Sequence, residues 1–221
     1  MKVAVIQFPG SNCDRDTLQV LQDNMKIETK LVWHNEFKDD VYDAVILPGG
    51  FSFGDHLRGG IIAAHSPAMQ GVRKMAKEGK PVLGICNGFQ ILIESELLPG
   101  SLLRNSSLKF VCKWMDLQVD NVDTAFTCAF ERGEKVRMPI AHNEGRFFGE
   151  DQLLNSLKAD NRVLLHYLNE NPTGTSEGIV SISNKEGNVV GMMSHPERAS
   201  DDLLGGTDGL RVFGSMLEWM R

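Results

Sequence analysis

"PVLGICNGFQIL", residues 81–92, holds one cysteine between two glycines. Pro81 to Ile85 is a short, mostly apolar run, and the spacing from Asn87 to Leu98 predicts a helix. Cys86 therefore falls where a strand turns into a helix. The ordinary reading of such a residue is a small buried hydrophobe, because free cysteine is among the most buried residue types. The glycines favour another reading. Gly84-Ile85-Cys86-Asn87-Gly88 has the G-x-nucleophile-x-G form of an elbow. In that form the nucleophile sits on a tight, strained turn, and its neighbours two residues away must lack bulky side chains. The turn also sets the thiol at a helix N-terminus, where unpaired N–H groups favour negative charge. G-x-C-x-G alone is a weak pattern; its position between a buried strand and a helix gives it weight.

Working outward, the first half of the chain alternates strand and helix. Lys2 to Phe8, Glu28 to Trp33 and Ala44 to Gly50 read as strands. Asp14 to Asn24 and Ser66 to Glu78 read as amphipathic helices, the second with Pro67 in its first turn and Gly79 just past its end. Near-continuous apolar strands separated by helices predict a parallel sheet covered on both faces. The middle changes style. "LKFVCKWMDLQV", "AFTCAF" and "VRMPIAH" are strand-like pieces on short polar connections, expected to extend the sheet in antiparallel fashion. "GIVSISNKEGNVVGMMSHPE" reads as a hairpin turning at Lys185 to Asn188, and Asp208 to Met220 as a closing helix. The expected fold is an α/β, flavodoxin-like, three-layer single domain over residues 1–221. Its central sheet is mostly parallel with an antiparallel extension. Ligand sites in such folds lie beyond the carboxyl ends of the parallel strands. The loops after Leu47, Ile85 and Met193 converge there.

The 221 residues suffice for one large core, and 42% hydrophobic with 24% charged residues is a globular composition. A net charge of −6 argues against a general nucleic-acid or anionic-membrane surface. No run approaches transmembrane length, and "MKVAVIQFPGSN" reads as a first strand rather than a signal peptide. The four cysteines, Cys13, Cys86, Cys112 and Cys128, show no CxxC pair and no metal-ligand spacing. A reduced, cytoplasmic setting fits.

A cysteine nucleophile for acyl transfer needs a base, and the base needs an orienting group. His195 follows the apolar strand "NVVGMM" and precedes Pro196 and Glu197. Extended backbone at His195-Pro196-Glu197 would put both side chains on one side. The alternative is a surface turn with a fortuitous His and Glu. Acyl chemistry also needs an oxyanion hole. Gly49 and Gly50 leave the third strand in a side-chain-free turn that can bring a backbone N–H to a ligand and rotate a peptide at low cost. The Asn87 N–H, directly after the nucleophile, is the natural second donor.

"LPGG", "GICNGFQIL" and "HPE", in that order, resemble the triad-type, class I glutamine amidotransferases. Further segments, "FSFGDHLRGGIIAA", "AHNEGRF", "NPTGT", "GNVVGMMSHPER" and the opening "VAVIQFPGSNCDRD", resemble the family of glutaminase subunits of phosphoribosylformylglycinamidine synthase. That resemblance spans nearly the whole chain. It implies Cys86 as nucleophile, His195 as base, Glu197 as its orienter, and the Gly50 and Asn87 N–H groups as oxyanion hole. It implies hydrolysis of L-glutamine to glutamate and ammonia, with no cofactor or metal in this chain. The partners it implies are a large synthase subunit, which uses ATP and magnesium in purine biosynthesis, and a small third subunit. Gly49, Phe51, Asp55, Arg58, Gln90, His142 and Glu144 fall in the loops expected to face substrate or partner. Asn143 and Ser194 depart from the family's commoner glycine and proline. A stand-alone cysteine hydrolase or stress protein on a similar fold is the competing reading, but such a protein would not be expected to carry His-Pro-Glu near its far end. Cys13, Cys112 and Cys128 read as structural or incidental.

Overall fold

A computed structural model describes residues 1–221. The elements in chain order are β1 (Lys2–Gln7), α1 (Asp14–Gln19), β2 (Glu28–Trp33), β3 (Ala44–Leu47), α2 (Ile61–Ala64), α3 (Ala68–Lys77), β4 (Val82–Ile85) and α4 (Asn87–Glu94). They continue with β5 (Ser101–Leu103), β6 (Val111–Val119), β7 (Lys135–His142), β8 (Arg146–Phe148), α5 (Asp151–Ala159), β9 (Val163–Tyr167), β10 (Ile179–Ser183), β11 (Val189–Met192) and α6 (Leu210–Trp219). Nine strands form one sheet in the order β2-β1-β3-β4-β11-β10-β9-β6-β7, and β5 pairs with β8 apart from it.

The sheet has two halves. β2, β1, β3, β4 and β11 run parallel. From β11 onward every pairing is antiparallel. Every residue of β3, β4, β10 and β11 is buried, so both faces of the sheet's centre are covered. Pro139 lies in β7, the edge strand, where a missing N–H is tolerated. A single apolar cluster of 56 buried residues joins the layers. No helix is long and apolar enough to cross a membrane.

Two expected elements differ in the structure. Ala125 to Phe130 is a series of turns, not a strand: Thr127 N, Cys128 N and Phe130 N bond back to carbonyls three or four residues earlier. Ala125 and Phe126 are fully buried nonetheless, so the apolar residues report burial without a ladder. Helix α4 stops at Glu94 rather than Leu98, because Glu96 takes a left-handed φ of 61° and the Leu97 and Leu98 N–H groups fold back onto Leu92 O. Helix α5, strand β9 and the β5–β8 pair are further elements that the periodicity did not single out.

Candidate active site

The elbow is built by close backbone packing. A Cβ added at Gly88 would lie 2.0 Å from Leu47 O, and one at Gly84 would lie 2.6 Å from the Gly88 carbonyl. Helix α4 thus rests directly on β3 and β4, and a side chain at either position would push it away. Cys86 carries the consequence, with φ 50° and ψ −103°, a conformation unfavourable to any L side chain. Its N–H is held by Met192 O at 2.7 Å. Its Sγ points toward Ala141 O at 3.8 Å, at the end of β7.

His195 follows β11, the parallel neighbour of β4. Its N–H bonds Pro139 O at 2.8 Å, and Ser194 bridges Ile140, so β7 is stitched to the histidine segment. Its Nδ1 is 2.6 Å from Glu197 Oε1, with both side chains buried. The pair forms by a different route from the one expected. Pro196 to Arg198 is a 3₁₀ turn rather than extended backbone, and the turn brings Glu197 back under the ring. The Cys13 sulfur lies within 4.8 Å of the imidazole. Burial alone would lower its pKa, but Glu197 and Cys86 outweigh it and hold the ring's pKa well above the ordinary histidine value.

The Gly49–Gly50 turn is clamped, not loose. Asn12 N and Cys13 N bond Gly49 O at 3.3 and 3.2 Å, Phe51 N bonds Gly10 O at 2.9 Å, and Phe53 N bonds Pro9 O at 2.6 Å. Gly50 has φ +151°, and a Cβ there would meet Gly10 O and Ser11 Cα at 2.8 Å. The segment after β1 therefore fixes the glycine turn, while the Gly50 N–H is left free of main-chain partners.

The loop residues divide. Asn87, Gln90 and Glu144 form a relay: Asn87 Nδ2 donates to Gln90 Oε1 at 2.8 Å, and Gln90 Nε2 to Glu144 O at 2.8 Å. Ser52 N donates to Asn87 Oδ1 at 3.1 Å, and Gly59 N to Glu144 Oε2 at 3.1 Å. Asp55 lies 3.4 Å from Asn87 Nδ2, and burial with the nearby Glu144 charge pushes its carboxyl up to about 6. His142 is buried, its Nδ1 facing Asn105 Oδ1 at 3.2 Å. Arg58 stands apart, paired through both nitrogens with Glu94 at 2.6 Å on the surface. Phe51 is exposed at the rim.

Sequence reasoning missed Cys13 and Asn105. Cys13 packs against Gly49 and His195 and accepts a hydrogen bond from Arg198 Nη2 at 3.0 Å. Asn105 donates to the carbonyls of His142 and Lys109 and accepts from Gly145 N. Both sit far along the chain from the residues they serve, and Asn105 lies in no motif.

The arrangement is a strained thiol, an imidazole held by a buried carboxylate, and a clamped glycine turn, which together can carry out acyl transfer. Residues 1–208 match the family model for the CobB/CobQ-like glutamine amidotransferase domain. A solved structure of PurLQS from Thermotoga maritima is 48% identical over 100% of this chain and 99% of that one, with a TM-score of 0.92. Two more distant matches show the shared fold alone. A glutamine amidotransferase of Thermotoga maritima is 16% identical over 100% of this chain and 97% of that one, with a TM-score of 0.64. The glutaminase domain of Trypanosoma brucei CTPS is 13% identical over 99% and 94%, with a TM-score of 0.63.

Proposed function

Because the chain belongs to the CobB/CobQ-like glutamine amidotransferase family, we propose that it is the glutaminase subunit of phosphoribosylformylglycinamidine synthase. The full-length 48% match to PurLQS carries this reading. In it, residues 1–221 act as one domain that hydrolyses glutamine and passes ammonia to a large synthase subunit, with a small third subunit in the complex. ATP and magnesium belong to the synthase, this chain needs no cofactor, and the assembly works in the cytoplasm.

The chemistry runs through Cys86. Its sulfur attacks the side-chain amide carbon of glutamine, and His195 Nε2 takes the thiol proton. The Gly50 and Asn87 N–H groups receive the negative charge that develops on the amide oxygen. His195 then gives its proton to the departing nitrogen, the C–N bond breaks, and ammonia leaves a glutamyl thioester. Water, deprotonated by His195, opens the thioester to glutamate and restores the thiol. Glu197 keeps the ring's Nδ1 side engaged, so that Nε2 faces the thiol. Cys13 is not the nucleophile in this scheme: it lacks the elbow and the adjacent oxyanion donors. Asp55, Gln90, His142 and Glu144 shape the floor and wall of the glutamine pocket, and Phe51 and Arg58 face the partner.

The test is glutaminase and synthase activity of the reconstituted complex carrying Cys86→Ser. Glutamine-dependent synthesis should vanish while synthesis from added ammonium salt persists. Glutamine turnover surviving the substitution would remove Cys86 from the chemistry. Failure of ammonium to rescue a complex that still assembles would remove the proposed division of labour.

A further inference from the structure

Glu197 keeps one oxygen idle beside a strong donor. Its Oε1 faces His195 Nδ1 at 2.6 Å, but its buried Oε2 has no hydrogen-bond partner. The Arg198 guanidinium stands next to the same carboxylate, with Nε 3.9 Å from Oε1. A guanidinium pairs best with both oxygens of a carboxylate, and a buried oxygen left unpaired costs on the order of 1–3 kcal/mol. The two groups should therefore close on each other unless something holds the arginine back.

The segment after β1 supplies that hold. Arg198 Nη2 donates to Cys13 Sγ at 3.0 Å, and Asp16 adds an opposite charge nearby. Cys13 is itself fixed and buried. Its Sγ donates to Asn12 Oδ1 at 3.2 Å, and its N–H donates to Gly49 O at 3.2 Å. The partly exposed arginine thus has a stationary acceptor. Closure onto Glu197 would be costly for the reaction. The guanidinium would neutralise the carboxylate and compete with the imidazole for Oε1. His195 would become a weaker base and would be freer to turn.

We propose that Cys13 is a positioning residue: its sulfur holds the Arg198 guanidinium off Glu197 and so reserves the carboxylate for His195. The role rests on the glutaminase reading of Cys86, His195 and Glu197. Cys13 acts through Arg198, not through contact with glutamine.

Two readouts test this, the titration of His195 in the whole chain and glutamine turnover by the reconstituted complex. His195 is faced by Glu197 and Arg198 from its own turn, Cys86 from the elbow, Cys13 from the segment after β1 and His142 from β7. The titration is followed by NMR of ring-labelled histidine in the Cys86→Ser chain, which removes the thiol that the reaction itself titrates. There, Cys13→Ala should make His195 titrate about one pH unit lower. In the complex with Cys86 intact, Cys13→Ala should lower kcat at least about tenfold with little change in KM. Cys13→Ser keeps an acceptor and should stay close to the parent in both readouts. Adding Arg198→Met to Cys13→Ala should restore most of both, because the competing guanidinium is gone. A loss of packing alone would not be repaired by a second deletion. An unshifted His195 titration in Cys13→Ala, or a double variant no better than Cys13→Ala, overturns the proposal. If Cys13→Ala does not fold, Cys13→Val, which removes the acceptor but fills its place, decides by the same comparison. Glutamine turnover that survives Cys86→Ser would instead defeat the reading beneath the proposal, whatever the Cys13 variants do.

Discussion

The ends of β11 and β7 each carry a buried histidine, and the two differ in one atom type. His195 and His142 are 1% and 3% exposed, and each has an unpartnered Nε2. Each holds Nδ1 against a side-chain oxygen, Glu197 Oε1 at 2.6 Å for one and Asn105 Oδ1 at 3.2 Å for the other. The carboxylate can balance an imidazolium; the amide cannot. His195 is accordingly held above the ordinary histidine value. His142 is pushed down to about 3, by burial and then by the neighbouring His195. Asn105 Oδ1 also accepts from Gly145 N, so it anchors the turn as well as the ring. One ring is equipped to move a proton, and the other is a neutral strut.

The widest separation between the two should come from deleting the rings. His195→Ala should lower glutamine hydrolysis by a factor on the order of 10⁶, as loss of a triad base does. His142→Gln should cost far less, and steady-state assay of both variants in the complex checks the contrast. A smaller effect comes from giving His195 the kind of partner His142 has. Glu197→Gln keeps the shape but removes the charge, and should lower kcat by about 10⁴-fold. Near-wild-type turnover would show that orientation alone suffices.

The next effect is on stability. The unfolded chain protonates His142 near pH 6.5, while the folded chain resists down to about pH 3. Stability should therefore fall as pH drops through that window, by roughly 3 kcal/mol between pH 6.5 and 4. His142→Gln should remove that share of the slope in urea melts taken at several pH values. An unchanged slope would mean that the ring is not kept neutral. The smallest effect is Asp55, whose folded value of about 6 lies above the unfolded one. The folded chain binds this proton more tightly, so Asp55 adds stability as pH falls below about 6 and loses it above. Asp55→Asn should flatten this opposite trend, by less than about 1 kcal/mol for a half-exposed group. The same series of melts reads its sign.

Much of this site is legible in the sequence because its cause is local. Gly84 and Gly88 flank Cys86 since the elbow crowds its own neighbours, and Pro196 sets the turn that joins His195 to Glu197 within three residues. The parallel strands β1, β3 and β4 read correctly because burial on both faces leaves continuous apolar runs. What stayed hidden depends on contacts across the chain. Cys13 reaches the site only because the segment after β1 packs on the turn after β3, and Asn105 only because its loop meets the end of β7. Ala125 to Phe130 misled for the converse reason: apolar residues mark burial, and buried turns need them as much as strands do.

The contact between Gly88 and Leu47 O also bears on how the site responds to heat and pressure. Gly50 lies three residues after Leu47, and Asn87 lies one before Gly88, so the two proposed oxyanion donors hang from segments that meet backbone to backbone. No compressible side chain lies between them at that point. The gap that receives the oxyanion should therefore expand and contract less than the surrounding core, and its dimensions should be largely insulated from repacking elsewhere in the sheet.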